Sequence, residues 1–147
     1  MNRHSGKGDS VFMRLLRDES GSPAVEFAII APLLVFLTAG MIDVGKMGLA
    51  SATLYLTVDE GARYAAVHAK GSLLEKTEAE MEAFARNSII GIDGDKVVID
   101  YVWSPDPAIS GGTVTMTATY TVDLWLPAFM NITDITMSRS SMMTINY

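Results

Sequence analysis

The chain contains no cysteine. That excludes a disulfide framework, a thiolate metal site and a thiol nucleophile. It leaves the compartment open, since a domain outside the cytoplasm can fold without disulfides. Histidine is scarce, with His4 near the start and His68 alone in the body of the chain. His68 follows Tyr64 by one helical turn and reads as a surface or packed histidine rather than a ligand or base. Positive charge is also short: 11 Lys and Arg stand against 17 Asp and Glu, a net charge of -6. Such a chain has little with which to neutralise several phosphates, which argues against nucleic-acid binding. Catalytic motifs are missing as well. "HSGKGDS" lacks the spacing of a phosphate loop, and no Gly-x-Ser-x-Gly elbow is present. Asp93-Gly94-Asp95 has no later Glu at calcium-loop spacing and reads as a turn. The acids Glu75, Glu78, Glu80 and Glu82 read as a solvated helix face rather than a metal site. No enzymatic activity, cofactor or metal site is expected.

What the chain does have is one long hydrophobic run, "GSPAVEFAIIAPLLVFLTAGMI", from Gly21 to Ile42. From Phe27 to Ile42 it carries no charge. As a helix, Ser22 to Ile42 would span roughly 31 Å, the thickness of a bilayer's hydrocarbon core. Pro32 would remove one backbone bond, to the carbonyl of Ala28, a loss that membrane helices tolerate. A buried core helix would alternate in polarity somewhere, and this run does not. A cleaved secretory signal has a shorter apolar region and a small-x-small site, for which Thr38-Ala39-Gly40 is a mediocre candidate. A retained membrane helix is the favoured reading. Arg3, Lys7, Arg14 and Arg17 precede it, and Lys46 alone follows closely. That bias keeps the N-terminus cytoplasmic and sends the rest of the chain across the membrane.

Glu26 is the anomaly. A carboxylate within a membrane helix costs about 2.5–3.5 kcal/mol at the centre and less near an end. It could sit at interface depth, stabilised by the helix N-terminal dipole. Its distance from Gly21 suggests another role. Cleavage after Gly21 would make Ser22 the first residue and Glu26 the fifth, where the carboxylate could pair with the free amine of an adjacent subunit. A charged leader, a glycine and an apolar helix with Glu at its fifth position is the arrangement of type IV prepilins.

The run "RDESGSPAVEFAIIAPLLVFLTAGMIDVGK" resembles the N-terminal signature of the TadE-like family, minor pilins (pseudopilins) of the tight-adherence, Flp-type pilus. Gly21, Ala24-Val25-Glu26-Phe27-Ala28, Pro32, Leu33-Leu34 and Asp43 fit its places, and "DEGARYAA" from Asp59 resembles a later Glu-Gly-Ala-Arg stretch. Ser22 and Pro23 depart from the usual residues after the cut, although Pro at the second position suits a helix start. The leader is long for a prepilin, and Met13 would give a more usual length. The resemblance implies prepilin-peptidase cleavage between Gly21 and Ser22, and a role for Glu26 and Phe27 in processing or subunit pairing. It further implies a single pass through the bacterial inner membrane, with the C-terminal domain outside the cytoplasm. The implied partners are other pilins and pseudopilins of the system, the prepilin peptidase and the pilus assembly platform. The competing reading is an uncleaved, single-pass anchored domain that binds a protein partner in the cell envelope.

Three segments follow: a leader over 1–21, a membrane helix over 22–42 and an extracytoplasmic domain over 43–147. The domain reads as helical over 43–91. Val44, Gly48, Leu54, Val58, Ala62, Ala65 and Ala69 recur at helical spacing, and Gly71-Ser72 ends that helix. Gly45, Gly48 and Gly61 weaken it but let neighbours approach closely. Thr77-x-x-Glu80 is a capping box that opens a second helix, with Met81, Phe84, Ala85, Ser88 and Ile89 on one face and Gly91 closing it. Over 95–147 the period becomes two. Val97, Ile99, Tyr101 and Trp103 alternate with polar or valine neighbours, and "SPDPAISGG" reads as a loop. In the next strand Val114, Met116, Ala118, Tyr120, Val122 and Leu124 alternate with Thr115, Thr117, Thr119, Thr121 and Asp123. "LPAFMNITD", which contains the sequon Asn131-Ile132-Thr133, turns the chain. A third strand carries Ile135, Met137, Met143 and Ile145, its pattern broken at Arg139, Ser140 and Ser141. Trp103, Trp125 and Phe129 fit core or membrane-interface positions better than an exposed aromatic patch. The expected fold is α+β and pilin-like: a long N-terminal transmembrane helix and a short helix, packed on a small antiparallel meander.

Overall fold

The computed structural model describes residues 22–106, 108–126 and 135–146. The leader over 1–21, Gly21 with it, lies outside these residues, as do Phe129 and the sequon at Asn131. Helix α1 runs over Ser22–His68 and α2 over Glu78–Asn87. Strands β1 (Val98–Ser104), β2 (Thr113–Val122) and β3 (Ile135–Thr144) form one antiparallel sheet in the order β1-β2-β3. This is the expected α+β, pilin-like arrangement. The chain divides into two compact units, one ending at Thr38 and one beginning at Ala39.

In the first unit, α1 is apolar on all sides. Val25, Phe27, Ile29, Leu33, Val35 and Leu37 are all exposed although they point in different directions around the helix. Such a helix buries itself only in surroundings that are themselves apolar. Pro32 lies within it, and the Thr38 hydroxyl donates to the Leu34 carbonyl at 2.8 Å, a bond that keeps a polar side chain tolerable in an apolar helix.

The second unit is built on β2. Every second residue from Val114 to Val122 is buried, and the threonines between them are half-exposed. The buried face meets Ala50, Leu54, Val58 and Ala62 of α1 and Ala85 of α2. A second cluster joins Ala65, Ala66, Ala69 and Met81 to Val114 and Ile145. The positions expected at Leu54, Val58, Ala62 and Ala65 therefore form the packed face of α1, and Ala69, just past its end, is buried as well. Val44 and Gly48 do not, for both are exposed. On the outer sheet face, Thr119 donates to the Ser138 hydroxyl at 3.2 Å, and the Thr121 and Thr136 hydroxyls lie 3.1 Å apart. Cross-strand hydroxyl pairs of this kind stabilise a sheet face that stays wet.

Helix α2 begins with the capping box the sequence predicts. Thr77 Oγ1 accepts from the Glu80 backbone at 3.3 Å, and Glu80 accepts from the Thr77 backbone at 3.0 Å. The Thr77 backbone N–H does most to hold the Glu80 carboxyl down at about 2, with the Lys76 ammonium and the Thr77 hydroxyl adding to it. The helix ends at Asn87 with Ser88 as its cap, earlier than expected. Gly91, at φ +78°, turns the chain farther on. A single 3-10 turn, Gly94–Lys96, occupies the Asp93-Gly94-Asp95 stretch, and Asp93 accepts from the Asp95 backbone at 3.1 Å. Strand β3 is continuous through Arg139, Ser140 and Ser141. Arg139 stands opposite the small Ala118, and its guanidinium donates to Ser51 Oγ of α1 at 2.8 Å. Space and a polar partner thus permit a cation on the inner-face register.

Met116→Asp places an unpaired charge in the core and should destabilise the domain by roughly 3 kcal/mol or more. Thr117→Asp on the outer face should cost about 1 kcal/mol or less. Thermal melts of the full chain in detergent micelles test this facing, and equal losses would contradict it.

Candidate functional site

The residues singled out in the sequence fall at three places on α1. Glu26 lies in the first unit. Glu26 is the fifth residue of the described helix. Its side chain is exposed, as is that of Phe27. No hydrogen bond or ion pair joins Glu26 to another of the described residues.

The second place is where the polar sequence begins. Asp43 is only 5 % exposed. Its carboxylate accepts from the Trp125 backbone N–H through both oxygens, at 3.0 Å each, and from Leu126 N–H at 2.7 Å. Burial alone would push this carboxyl up, but the two backbone donors and the nearby Lys46 charge hold it below the ordinary Asp value. Lys46 donates to the Asp123 carbonyl at 3.1 Å and lies 4.6 Å from the centre of the Trp125 ring. Asp43 thereby fixes the turn after β2 to the helix. The sequence marked Asp43 as an acidic position but gave no sign of this partner, which lies 82 residues away.

The "DEGARYAA" stretch explains itself by packing. A Cβ on Gly61 would collide with Met116 Sδ, lie 2.8 Å from its Cε and 3.1 Å from Ala85 Cβ. Arg63 pairs with Asp59 at 3.5 Å on the exposed side, and Tyr64 stacks on both His68 and Phe84 with ring centres 3.9 Å apart. His68 Nδ1 lies 2.8 Å from the Tyr64 carbonyl, so it is a packed histidine.

The remaining candidates serve the fold. Glu75 accepts from the Gly71 backbone at 3.0 Å, Glu82 holds Arg86 at 2.7 Å, and Glu78 accepts from the Trp103 indole at 2.8 Å. Trp103 stacks on Tyr101, whose phenol is pushed up to about 12 by burial and then by the Glu82 and Glu78 charges. Trp103 and Trp125 thus have separate partners and form no common patch through them.

Residues 21–63 match the family described as TadE-like protein. The match covers Glu26, Asp43 and Gly61. The matched stretch is similar to that family, and the unburied apolar helix agrees with anchorage in a membrane. No curated protein and no solved structure matches the chain.

Gly61→Val should destabilise by about 1–3 kcal/mol, since Met116 and Ala85 leave no room for branching at Cβ. Denaturant midpoints of the full chain in detergent check this. For Asp43 the sign is that of a depressed carboxyl. Its stabilisation is complete above the ordinary Asp value of about 3.9 and is lost as pH falls through its lower folded value. D43N should therefore lower the melting temperature at neutral pH, and its deficit against wild type should vanish only in strong acid. A deficit that is the same at every pH would contradict this.

Proposed function

We propose that the protein is a membrane-anchored minor pilin or pseudopilin that acts in assembly of a tight-adherence, type IVb-like pilus. The observation that carries the proposal is Glu26, exposed and without a partner among the described residues, on an apolar helix. The family match over 21–63 supports the same reading. On this reading the leader is removed between Gly21 and Ser22 by a prepilin peptidase. The helix over 22–42 first spans the inner membrane, with the domain outside the cytoplasm, and then packs among the helices of other pilins on the assembly platform.

The chemistry of Glu26 follows. A carboxylate surrounded by apolar side chains is stable only when paired or neutral. The amine released at Ser22 of an adjacent subunit supplies a positive charge, so pairing removes two unfavourable charges at once. The anchored chain remains fixed in the membrane without that pairing, because the rest of the helix is apolar.

Two measurements test this in the native host. Intact mass of the protein from membranes should show Ser22 as the first residue, and retention of the leader in a strain with active peptidase would favour the uncleaved anchored domain. E26Q keeps the shape and most hydrogen bonding while removing the charge. It should leave cleavage and membrane fractionation normal and reduce pilus-dependent adherence. Wild-type adherence from correctly processed E26Q would reduce Glu26 to an interface residue.

A further inference from the structure

The turn that Asp43 holds has one unexplained property: its tryptophan points outward. Trp125 is 54 % exposed although its backbone is fixed by a buried carboxylate. The next residue, Leu126, reaches toward the helix so that a Cβ on Gly40 would lie 3.9 Å from its Cδ2. Gly40 belongs to the apolar run, and Asp43 is the first charged residue after it. Trp125 and Leu126 are therefore tied to α1 at the level where its sequence changes from apolar to polar. Lys46 adds a cation over the indole ring one turn farther along.

From this arrangement we infer that the Trp125–Leu126 turn is a second membrane contact, an interfacial anchor that sits among phospholipid headgroups beside the exit of α1. The inference rests on the proposed membrane span over 22–42. An indole favours the headgroup region because its ring is apolar and its N–H is polar. The Lys46 ammonium at the same level meets lipid phosphates, while its stem lies along apolar surface. The geometry also gives Asp43 a purpose that core packing does not. Three backbone bonds to one carboxylate hold the turn against the helix at Asp43, where the proposed span ends. Lipid is the occupant that continuity favours, because the apolar run adjoining Gly40 already requires it.

The test uses the full chain reconstituted into phosphatidylcholine vesicles, with bromine placed either near the glycerol end or near the methyl end of the acyl chains. Trp103 and Trp125 are the only indoles, so W125F leaves Trp103 as the sole emitter. Wild-type emission should be blue-shifted and quenched more strongly by bromine near the glycerol end. W125F should lose that quenching, and W103F should keep it. K46Q should retain the quenching, whereas D43N, which frees the turn, should weaken it. Carbonate extraction of the same vesicles separates the two readings. Release of the protein would overturn the membrane span and this inference together. Retention with Trp125 unquenched would overturn this inference alone.

Discussion

The second unit depends on one close approach, that of Met116 to Gly61. Strand β2, α1 and α2 meet there, with Ala85 Cβ on the third side. Glycine in a helix interior costs about 1 kcal/mol relative to alanine. Full burial of a methionine side chain contributes about 1.5–3 kcal/mol, and Met116 is fully buried. The packing outweighs the propensity. Farther along the same face, Ala62, Ala65 and Ala66 continue the row of small side chains. A sheet of three strands with one apolar face needs a layer drawn close over it, and this row lets α1 provide that layer.

The same helix meets two kinds of surroundings. Before Ile42 none of its most apolar stretch is buried by the protein. After Asp43 it has a buried face toward β2 and an exposed face with Asp59, Glu60 and Arg63. A continuous helix can serve both because its backbone bonds are satisfied internally, whatever lies outside. Only the side chains have to change. The exposed Val44, Leu49, Tyr55 and Leu56 show that the change is gradual along the outer face, while the inner face is already fully packed at Ala50 and Leu54.

Local chemistry was legible in the sequence, and long-range chemistry was not. The capping box at Thr77 and Glu80 and the threonine alternation of β2 each involve residues within a few positions, so the pattern carries the structure directly. Strand β3 read as interrupted because a cation on an inward register normally signals a break. The exception arises from Ala118 across the strand pair and Ser51 on α1, neither of which is near Arg139 in sequence. Gly91 read as a helix stop because its positive φ is real, but the turn it makes comes after Ser88 has already capped α2. The apolar run and its one carboxylate stood out at once. What Asp43 holds did not, since a carboxylate that binds backbone N–H groups leaves no signature in the residues that donate them.

Two carboxylates mark the ends of the apolar run, and the fold treats them oppositely. Asp43 is satisfied within its own unit by Trp125 and Leu126. Glu26 has no such partner among the described residues. A group of the first kind is indifferent to neighbouring molecules. One of the second kind makes the solitary helix less comfortable in lipid than a helix that has found a counter-charge. On the proposed reading this asymmetry gives assembly a direction. The cost of a carboxylate at mid-membrane, about 2.5–3.5 kcal/mol, is an upper limit for Glu26 near the helix start. At roughly 1.4 kcal/mol per tenfold, even half of that favours a paired state over a solitary one by about tenfold. The bias is large enough to select paired helices and small enough for the unpaired chain to remain stably inserted while it waits for a partner.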